Sequence, residues 1–417
     1  MRTTLTFLLT MLTFGVFAQS GWFYLNPDLG YNQYGAIYAT NEDTLLVMAD
    51  NGIFSKTVDG GITWNNVNTG FTESFFDLAF INADTGYAVG QNGKILKSTN
   101  GGTTWISLPS GVSTYLYSVC IHSANDIWVV GDSGVLLHST DYGTSWDYRN
   151  PVAKGLYSIG FKGDLGIVTG EDGTILVSSD NGGHWVVQQA DTTLDIFSLC
   201  ITPNLVYALG GSTNHMPSYG HDAEIVMRTT DFATWSYFEL PDIWAGATAM
   251  AFVNDSTGFT CSSVIIVKNY GGIMIQKTTD SAATWNVSME NWDSPYLLSI
   301  GYSDLAVVND TVSYALCGGN ILKTITGGYS GISNALMDQQ AAIYPNPLTG
   351  SLLQVRLPES RQITVELFDI TGKRMFSSSF QGSEATVDLS SLRNGFYLVK
   401  LWNGSSLIAL KKLTISR

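Results

Sequence analysis

Hydrophobic and polar positions alternate in short runs along most of the chain, and polar Gly-rich turns separate the runs. Between residues 76 and 108 the pattern predicts four strands, at 76–81, 86–89, 94–98 and 105–108. Short runs rich in β-branched and aromatic residues, with turn signals between them, are typical of antiparallel sheet. The pattern therefore predicts an all-β fold.

This four-strand unit recurs with a period of about 40 residues, which indicates a propeller or a solenoid. Residues 97–105 read Lys-Ser-Thr-Asn-Gly-Gly-Thr-Thr-Trp, and close copies occupy 56–64 and 138–146. Weaker copies lie at 177–185, 228–235 and 277–285, and a remnant at 323–328 lacks both the acidic residue and the Trp. Seven units in residues 19–330 predict a seven-bladed β-propeller, since radial packing leaves only short protected sheet edges.

Each repeated turn carries a polar brace and, in most copies, a Trp. An Asp or Asn side chain can accept hydrogen bonds from backbone N–H groups of its own turn, and glycine supplies positive φ. We expect the Trp to lie flat against the sheet of its own blade. The predicted structural residues are Asp59, Trp64, Asn100, Trp105, Asp141, Trp146, Asp180, Trp185, Asp231, Trp235, Asp280 and Trp285. The pattern resembles the Asp-box, or bacterial neuraminidase repeat, in which the acidic residue is a turn brace and not a catalyst.

The seventh unit has no fourth strand of its own after residue 328. The segment 21–27, Gly-Trp-Phe-Tyr-Leu-Asn-Pro, is similar to 104–109, Thr-Trp-Ile-Ser-Leu-Pro. We expect residues 19–30 to complete the last blade, with Trp22 as the missing ring, because repeat folds must tie their ends together.

The repeats as a whole, Tyr/Phe-Ala-Val-Gly followed by Gly-Gly-Thr-Thr-Trp, resemble seven-bladed propellers of the photosystem II assembly-factor type. Those relatives use basic patches, whereas residues 19–330 contain only two arginines, Arg149 and Arg228. The resemblance therefore implies the fold, and we do not expect the photosystem function.

Residues 341–417 form a separate pattern after a loose linker at 331–340. Alternating runs with turn signals every 8–12 residues predict a small immunoglobulin-like β-sandwich. Tyr-Pro-Asn-Pro (344–347), Asp-Ile-Thr-Gly-Lys (369–373) and Asn-Gly-Phe-Tyr (394–397) resemble, in order, the type A C-terminal sorting domain of the type IX secretion system of Bacteroidetes. An ordinary immunoglobulin-like adhesion domain is the alternative.

That resemblance implies a partner and a location. The partner is the type IX secretion machinery, contacted through 341–417, and the location is the outside of a Gram-negative cell. It also implies removal of this domain near the linker, followed by release or attachment to the surface. Residues 1–18 fit a secretory signal peptide, with Arg2 before an apolar run from Leu5 to Phe17. Since no later segment holds 18 uninterrupted apolar residues, we expect no transmembrane segment in the mature protein. We also expect the protein to be a monomer.

Charge and cysteines restrict the function further. Residues 19–330 contain 10 Lys and Arg against 29 Asp and Glu, whereas 331–417 contain 9 against 6. So acidic a propeller would be repelled by phosphate backbones, which excludes nucleic acid as a partner. Cys120, Cys200, Cys261 and Cys317 lie inside apolar strand patterns, so we expect buried packing and not disulfides.

Enzyme readings find little support in the sequence. Sialidases hold the substrate carboxylate with three arginines, and only two are present in the propeller. A glycoside hydrolase of the xyloglucanase kind, with paired carboxylates, remains the alternative function. His215 and His221 match no tight metal-ligand spacing, and we predict no catalytic residue, metal or cofactor.

The repeat is interrupted in blades five and six, and binding residues concentrate in loops of a rigid scaffold. Blade five inserts residues 211–223, blade six has a longer connection around 268–270, and the connections between blades near 242–244 and 291–293 are enriched in aromatic and acidic residues. We therefore predict non-catalytic binding of an extracellular glycan or protein. The candidate residues are His215, Tyr219, Asp222, Trp244, Tyr270, Trp292 and Asp293.

Overall fold

The structure, a computed structural model, describes residues 21–25, 34–49, 51–190, 192–211, 224–240, 247–267, 270–294, 303–317, 320–328, 342–369, 373–403 and 406–417. Two predicted segments, the signal peptide 1–18 and the linker 331–340, lie outside these residues. No helix in this described part of the chain is long and apolar enough to cross a membrane.

Seven four-stranded antiparallel sheets follow one another along the chain, and we number them as blades one to seven. The strands of the first three blades are β2 (Tyr34–Ala39), β3 (Leu45–Ala49), β4 (Ile53–Thr57) and β5 (Asn65–Asn68); β6 (Phe75–Phe80), β7 (Gly86–Gly90), β8 (Ile95–Ser98) and β9 (Ile106–Leu108); β10 (Leu116–Ser123), β11 (Asp126–Gly131), β12 (Leu136–Ser139) and β13 (Asp147–Arg149). Those of blades four and five are β14 (Leu156–Lys162), β15 (Leu165–Gly170), β16 (Thr174–Ser178) and β17 (Val186–Gln189); β18 (Asp195–Ile201), β19 (Val206–Gly211), β20 (Ile225–Thr229) and β21 (Ser236–Glu239). Those of blades six and seven are β22 (Ala247–Phe252), β23 (Gly258–Val267), β24 (Tyr270–Thr278) and β25 (Asn286–Ser294); β26 (Asp304–Val307), β27 (Ser313–Cys317), β28 (Asn320–Thr324) and, from the start of the chain, β1 (Trp22–Tyr24).

The sheets form a closed ring. The first strand of each blade lies against the first strand of the next, and β26 lies against both β22 and β2. β1 pairs antiparallel with β28, with Trp22 opposite Thr324 and Tyr24 opposite Leu322. The all-β, seven-bladed fold predicted from the repeats is confirmed, and the segment at 22–24 supplies the fourth strand of the seventh blade.

The hydrophobic cores of the ring lie between blades. Trp105 of the second blade packs with Phe54 of the first, at 4.9 Å between ring centroids, and with Phe80 of its own blade at 6.0 Å. Trp185 of blade four packs likewise against Trp128 of blade three at 5.7 Å. The expectation that the Trp lies against the sheet of its own blade did not include the second contact: the ring also enters the seam with the preceding blade, because sheets that face each other must fill the space between them. The seven cores pair each Trp with the blade before it: Trp64, Trp105, Trp146, Trp185, Trp235, Trp285 and Trp22.

Trp22 occupies the seam between blades six and seven in the same way. Its side chain is 3% exposed, its ring lies 5.6 Å from Phe259, and its Nε1–H donates to Ser288 Oγ at 3.1 Å. Both partners belong to blade six. The indole of the first strand therefore joins the last two blades.

The repeated turns are braced by side chains, as the third turn illustrates. Asp141 Oδ1 accepts the N–H of Ser145 and the hydroxyl of Ser139, both at 2.8 Å, and Asp141 Oδ2 accepts the Ser145 hydroxyl at 2.6 Å. Hydrogen bonds to the ionised carboxylate lower the pKa of Asp141 to about 2. In the seventh turn, which has no acidic residue, Thr324 Oγ1 still accepts the N–H of Gly328 at 2.8 Å.

In six of the seven seams a cation joins one blade to the turn of the next. Lys56 Nζ donates to the carbonyl of Gly101 at 2.6 Å, and the same contact recurs around the ring. Further donors are Lys97 to Tyr142, Arg149 to Gly182, Arg228 to Ser281, Lys277 to Gly327 and Lys323 to Gly60. Burial lowers the pKa of Lys277 and of Lys323 to about 8. Each of these seams is thus held by an indole from the later blade and a cation from the earlier one.

Two cysteines contradict the expectation of unbridged packing. Cys261 on β23 and Cys317 on β27 form a disulfide between blades six and seven, with their Cα atoms 6.7 Å apart. The repeat equivalent of Cys261 is Leu316, so Cys317 lies one residue further along the second strand of its blade, and the two second strands lie side by side in the ring. Cys120 and Cys200 are free thiols, and burial raises their pKa to about 12 and about 11.

Residues 342–415 form a separate five-stranded sheet around its own core. Its long strands bend, so that β30 (Leu352–Asp369) pairs with β31 (Arg374–Asp388) along both halves and with β32 (Gly395–Asn403) in its second half. The core is built from alternate positions, such as Val365 and Leu367 on one strand and Val399 and Leu401 on another. The strands are β29 (Ala342–Tyr344), β30 (Leu352–Asp369), β31 (Arg374–Asp388), β32 (Gly395–Asn403) and β33 (Ser406–Ile415).

Candidate ligand-binding site

Most of the predicted binding residues fall on connections that the structure does not describe. His215, Tyr219, Asp222 and Trp244 lie outside the described residues. They remain predictions.

Tyr270, Trp292 and Asp293 lie in paired strands of blade six and not in connecting loops. Tyr270 begins β24, and Trp292 and Asp293 lie near the end of β25. Since Gly271 pairs with Ser294, the three backbone positions share one end of the sheet. β23 and β24 pair as far as Val267 and Tyr270, so both strands are longer than their counterparts in the other blades.

The inner strands carry a second group of aromatic residues at a shared structural position. In each of blades two to five the first strand begins with a β-bulge, which leaves one residue without a partner in the ladder. That residue is aromatic in four successive blades: Phe76, Tyr117, Tyr157 and Phe197. Gly35 and Thr248 hold the equivalent place in blades one and six.

Three of these rings, with Tyr115, form a continuous arc, which we call the channel-mouth arc (Phe76, Tyr115, Tyr117 and Tyr157). Phe76 lies 5.9 Å from Tyr115 and 5.8 Å from Tyr117, and Tyr117 lies 5.4 Å from Tyr157. Tyr115 is 43% exposed and the other three side chains are partly exposed. The arc therefore crosses blades two, three and four at one end of their innermost strands and is open to solvent.

Two turns with acidic residues, which contain Asp132 and Asp172, lie beside the arc at the same end of the ring. The N–H of Asp132 donates to the carbonyl of Tyr115 at 2.9 Å, and the N–H of Asp172 donates to Asp195 Oδ1 at 2.8 Å. Burial raises the pKa of the Tyr157 hydroxyl, and the neighbouring Asp195 and Glu171 carboxylates raise it further. The phenol consequently stays protonated and can donate a hydrogen bond.

This combination of groups is suited to recognition. Aromatic faces stack against apolar ring surfaces, and phenols and carboxylates form hydrogen bonds with hydroxyl groups or attract cations. Interruptions of the repeat do not point to the arc, because three of its four residues lie in regular inner strands. A signal was present: an apolar residue followed by an aromatic one opens the first strand in four repeats, which breaks the alternation expected of a half-buried strand.

The two propeller arginines are both used in seams on the opposite side of the blades. Arg149 donates to Gly182 and lies 5.5 Å from the Trp128 ring, and Arg228 donates to Ser281 and lies 4.6 Å from the Phe238 ring. Within the described ranges no group of three or more His, Cys, Asp or Glu could hold a metal ion.

Comparison with known proteins identifies both parts of the chain. The family model "Photosynthesis system II assembly factor YCF48" matches residues 56–344, and the model "Secretion system C-terminal sorting domain" matches residues 342–416. A structure of YCF48 bound to D1 peptide is 14% identical, covers 73% of this chain and 96% of that chain, and has a TM-score of 0.55. YCF48 from Cyanidioschyzon merolae is 15% identical, with 73% and 98% covered and a TM-score of 0.53.

A more distant propeller, the RRP9 WD40 repeats, reaches a TM-score of 0.55 at 8% identity, covering 73% of this chain and 97% of that one. At such identities the likeness concerns the fold alone. No match was found among curated proteins. The chain thus belongs to the photosynthesis system II assembly factor YCF48 family, and its sorting domain marks it as a protein exported by type IX secretion to the cell surface or the extracellular space.

Proposed function

We propose that this protein is a non-catalytic recognition protein of the cell exterior and that its channel-mouth arc binds a glycan. The observation that carries this proposal is the run of adjoining aromatic rings across three blades, with phenol and carboxylate groups beside it. Successive sugar rings present apolar faces at a spacing that such an arc can follow, and their hydroxyl groups need the polar partners.

The glycoside hydrolase alternative gains no support from the buried carboxyl groups. Burial raises the pKa of Asp77 and of Asp304, as a general acid would require. Asp77, however, accepts hydrogen bonds from Ser118 and Val119, and Asp304 accepts one from the N–H of Ile37. Both carboxyl groups are thus enclosed between inner strands and hold neighbouring blades together.

A polypeptide ligand is the second candidate, and one observation favours it. The similar YCF48 structure holds a D1 peptide. Here the acidic turns beside the arc suit a peptide with Lys or Arg side chains, which would pair with the carboxylates and rest on the rings.

The test replaces Tyr117 with Ala in the full-length protein. Gly35 and Thr248 occupy the same bulge in other blades, so the fold tolerates a small residue there. We expect binding to a glycan array, followed by calorimetry on the glycans that bind, to weaken by at least about thirtyfold, since a central aromatic anchor contributes about 2 kcal/mol or more. Tyr148→Ala is the matched control, because Tyr148 is 53% exposed on an outermost strand.

Equal affinities of Tyr117→Ala and the unaltered protein would remove the arc from the proposal. A different result would favour the polypeptide ligand: the unaltered protein binds Lys- and Arg-rich peptides but no glycan, and Tyr117→Ala loses the peptide binding.

A further inference from the structure

The outward face of the sorting domain has an unusual composition for a solvent-facing sheet surface. On β32 the residues Tyr397, Val399 and Leu401 point into the core of the sandwich. Since side chains of a strand alternate between faces, Phe396, Leu398, Lys400 and Trp402 point the other way. Phe368 of β30, which is opposite Leu398 and 9% exposed, belongs to the same outward face.

Lys400 is buried although it stands on this outward face. Its side chain is 1% exposed, 4.5 Å from the Phe368 ring and 6.0 Å from the Trp402 ring. Its Nζ donates to the carbonyl of Ile325, which directly follows β28 in blade seven, at 2.5 Å. A lysine reaches such burial only when its ammonium group finds a partner and its stem finds apolar cover, and the propeller supplies the partner.

Leu398 makes the apolar part of the same contact. It packs against the core between blades seven and one, which contains Tyr314, Leu316 and Ile325 and is flanked by Phe23 of β1. The sorting domain therefore covers the place where the first strand of the ring meets the last blade.

The charges across this contact are complementary. Glu42 of blade one acts on Lys400, and Asp369 of the sorting domain acts on Lys323 of blade seven, in both cases favouring the charged lysine. The same opposition holds overall, since the propeller is strongly acidic and residues 331–417 carry more basic than acidic side chains.

We propose that the Phe368–Leu398–Lys400 face is a docking surface for the ring-closing blade, and that the attached sorting domain braces the junction of β1 with β28. The occupant of the surface is this chain's own seventh blade. The proposal is independent of the ligand-binding function, because the channel-mouth arc belongs to blades two to four.

The first experiment labels surface lysines of the unaltered full-length protein with an amine-reactive ester and follows each site by mass spectrometry. Lys373, in the same domain, is exposed and serves as the internal reference. We expect Lys400 to react at least about tenfold more slowly, because it becomes accessible only when the contact opens. Equal rates at the two lysines would overturn the proposal.

The second experiment compares Leu398→Asp with Phe396→Asp, which both place a carboxylate on the same face of the same strand. Phe396 is 69% exposed, whereas Leu398 packs in the seam. In Leu398→Asp we expect Lys400 to label as fast as Lys373, and hydrogen exchange at residues 22–24 to accelerate at least about tenfold. Phe396→Asp should change neither, and the same exchange rates at 22–24 in both variants would refute the bracing role.

Discussion

Carboxyl groups in the repeated turns and carboxyl groups on the inner strands have opposite effects on stability. Asp141 in a repeated turn is ionised and stabilised by hydrogen bonds, so its pKa is held near 2. Asp304 on an inner strand is enclosed, and burial raises its pKa to about 7 in spite of hydrogen bonds from Ile37 and Leu305. The turn carboxylate stabilises the fold above about pH 4, and this contribution is lost as the pH falls toward 2. The inner carboxyl group has the reverse effect: the stability is greatest at low pH, where the group is protonated in both states, and falls as the pH rises toward 7.

Replacement of Asp304 by Asn should make the stability of the propeller less dependent on pH. Because the pKa of Asp304 is raised from 3.8 to about 7, the unfolded chain releases its proton first, and stability falls as the pH rises from 4 toward 7. Asn stays neutral throughout, so between pH 5 and pH 8 the variant should lose about 2–3 kcal/mol less than the unaltered protein. Denaturant titrations at both pH values measure the difference.

Asp147→Asn is the control for this measurement, since the Asp147 side chain is 62% exposed. An unchanged pH dependence in Asp304→Asn would show that the inner carboxyl group is not neutral in the folded state.

The blades are joined by a reciprocal pair of contacts. Each seam receives an indole from the later blade, and in six seams a cation of the earlier blade donates to the turn of the later one, as Lys277 donates to Gly327. The repeat spacing predicted the strands and the turns, because these are local and depend on alternation and glycine. It could not predict the direction in which Trp105 points, since both faces of a blade are apolar and only the ring geometry decides which neighbour it meets.

Trp22→Ala should destabilise the ring although the residue lies near the start of the chain. The indole is 3% exposed and fills the seam against Phe259, so its removal leaves a cavity and removes the hydrogen bond that its Nε1–H donates to Ser288 Oγ. We expect a loss of about 3–5 kcal/mol in the free energy of unfolding, measured by denaturant titration. Val58→Ala, at a position 61% exposed, is the control. Equal stability of Trp22→Ala and this control would show that β1 does not hold the seventh blade.

At the scale of the whole molecule, the structure joins parts that are distant in sequence. The disulfide of blades six and seven closes a loop with a sequence separation of 56, and the contact of Lys400 with Ile325 spans 75 residues. Sequence patterns could not predict either, because strand alternation places a cysteine or a lysine on a face without saying what covers that face. The sorting motifs at 344–397 identified the last domain, whereas its contact with the propeller could not be predicted from them.

Thiol counting tests the disulfide directly. Alkylation of the unreduced protein in denaturant should modify two cysteines, Cys120 and Cys200, and alkylation after reduction should modify four. Peptide mapping should recover Cys261 and Cys317 as a linked pair. Reduction should also lower stability, by about 4 kcal/mol for a loop of this length if the constraint acts on the unfolded chain. Four reactive thiols without reduction would contradict the bridge.

The pairing of β1 with β28 has a consequence for the order of events in biogenesis. Trp22 and Thr324 stand opposite each other, so nearly the whole propeller must have been delivered before its opening strand finds a partner. Until then the apolar face of the sixth blade that the Trp22 indole covers in the finished structure remains exposed. Because the two ends of the propeller meet so late, assembly is slow and the unfinished propeller is vulnerable to aggregation. A cell that makes this protein must therefore keep the unfinished chain from premature association until β1 has paired with β28.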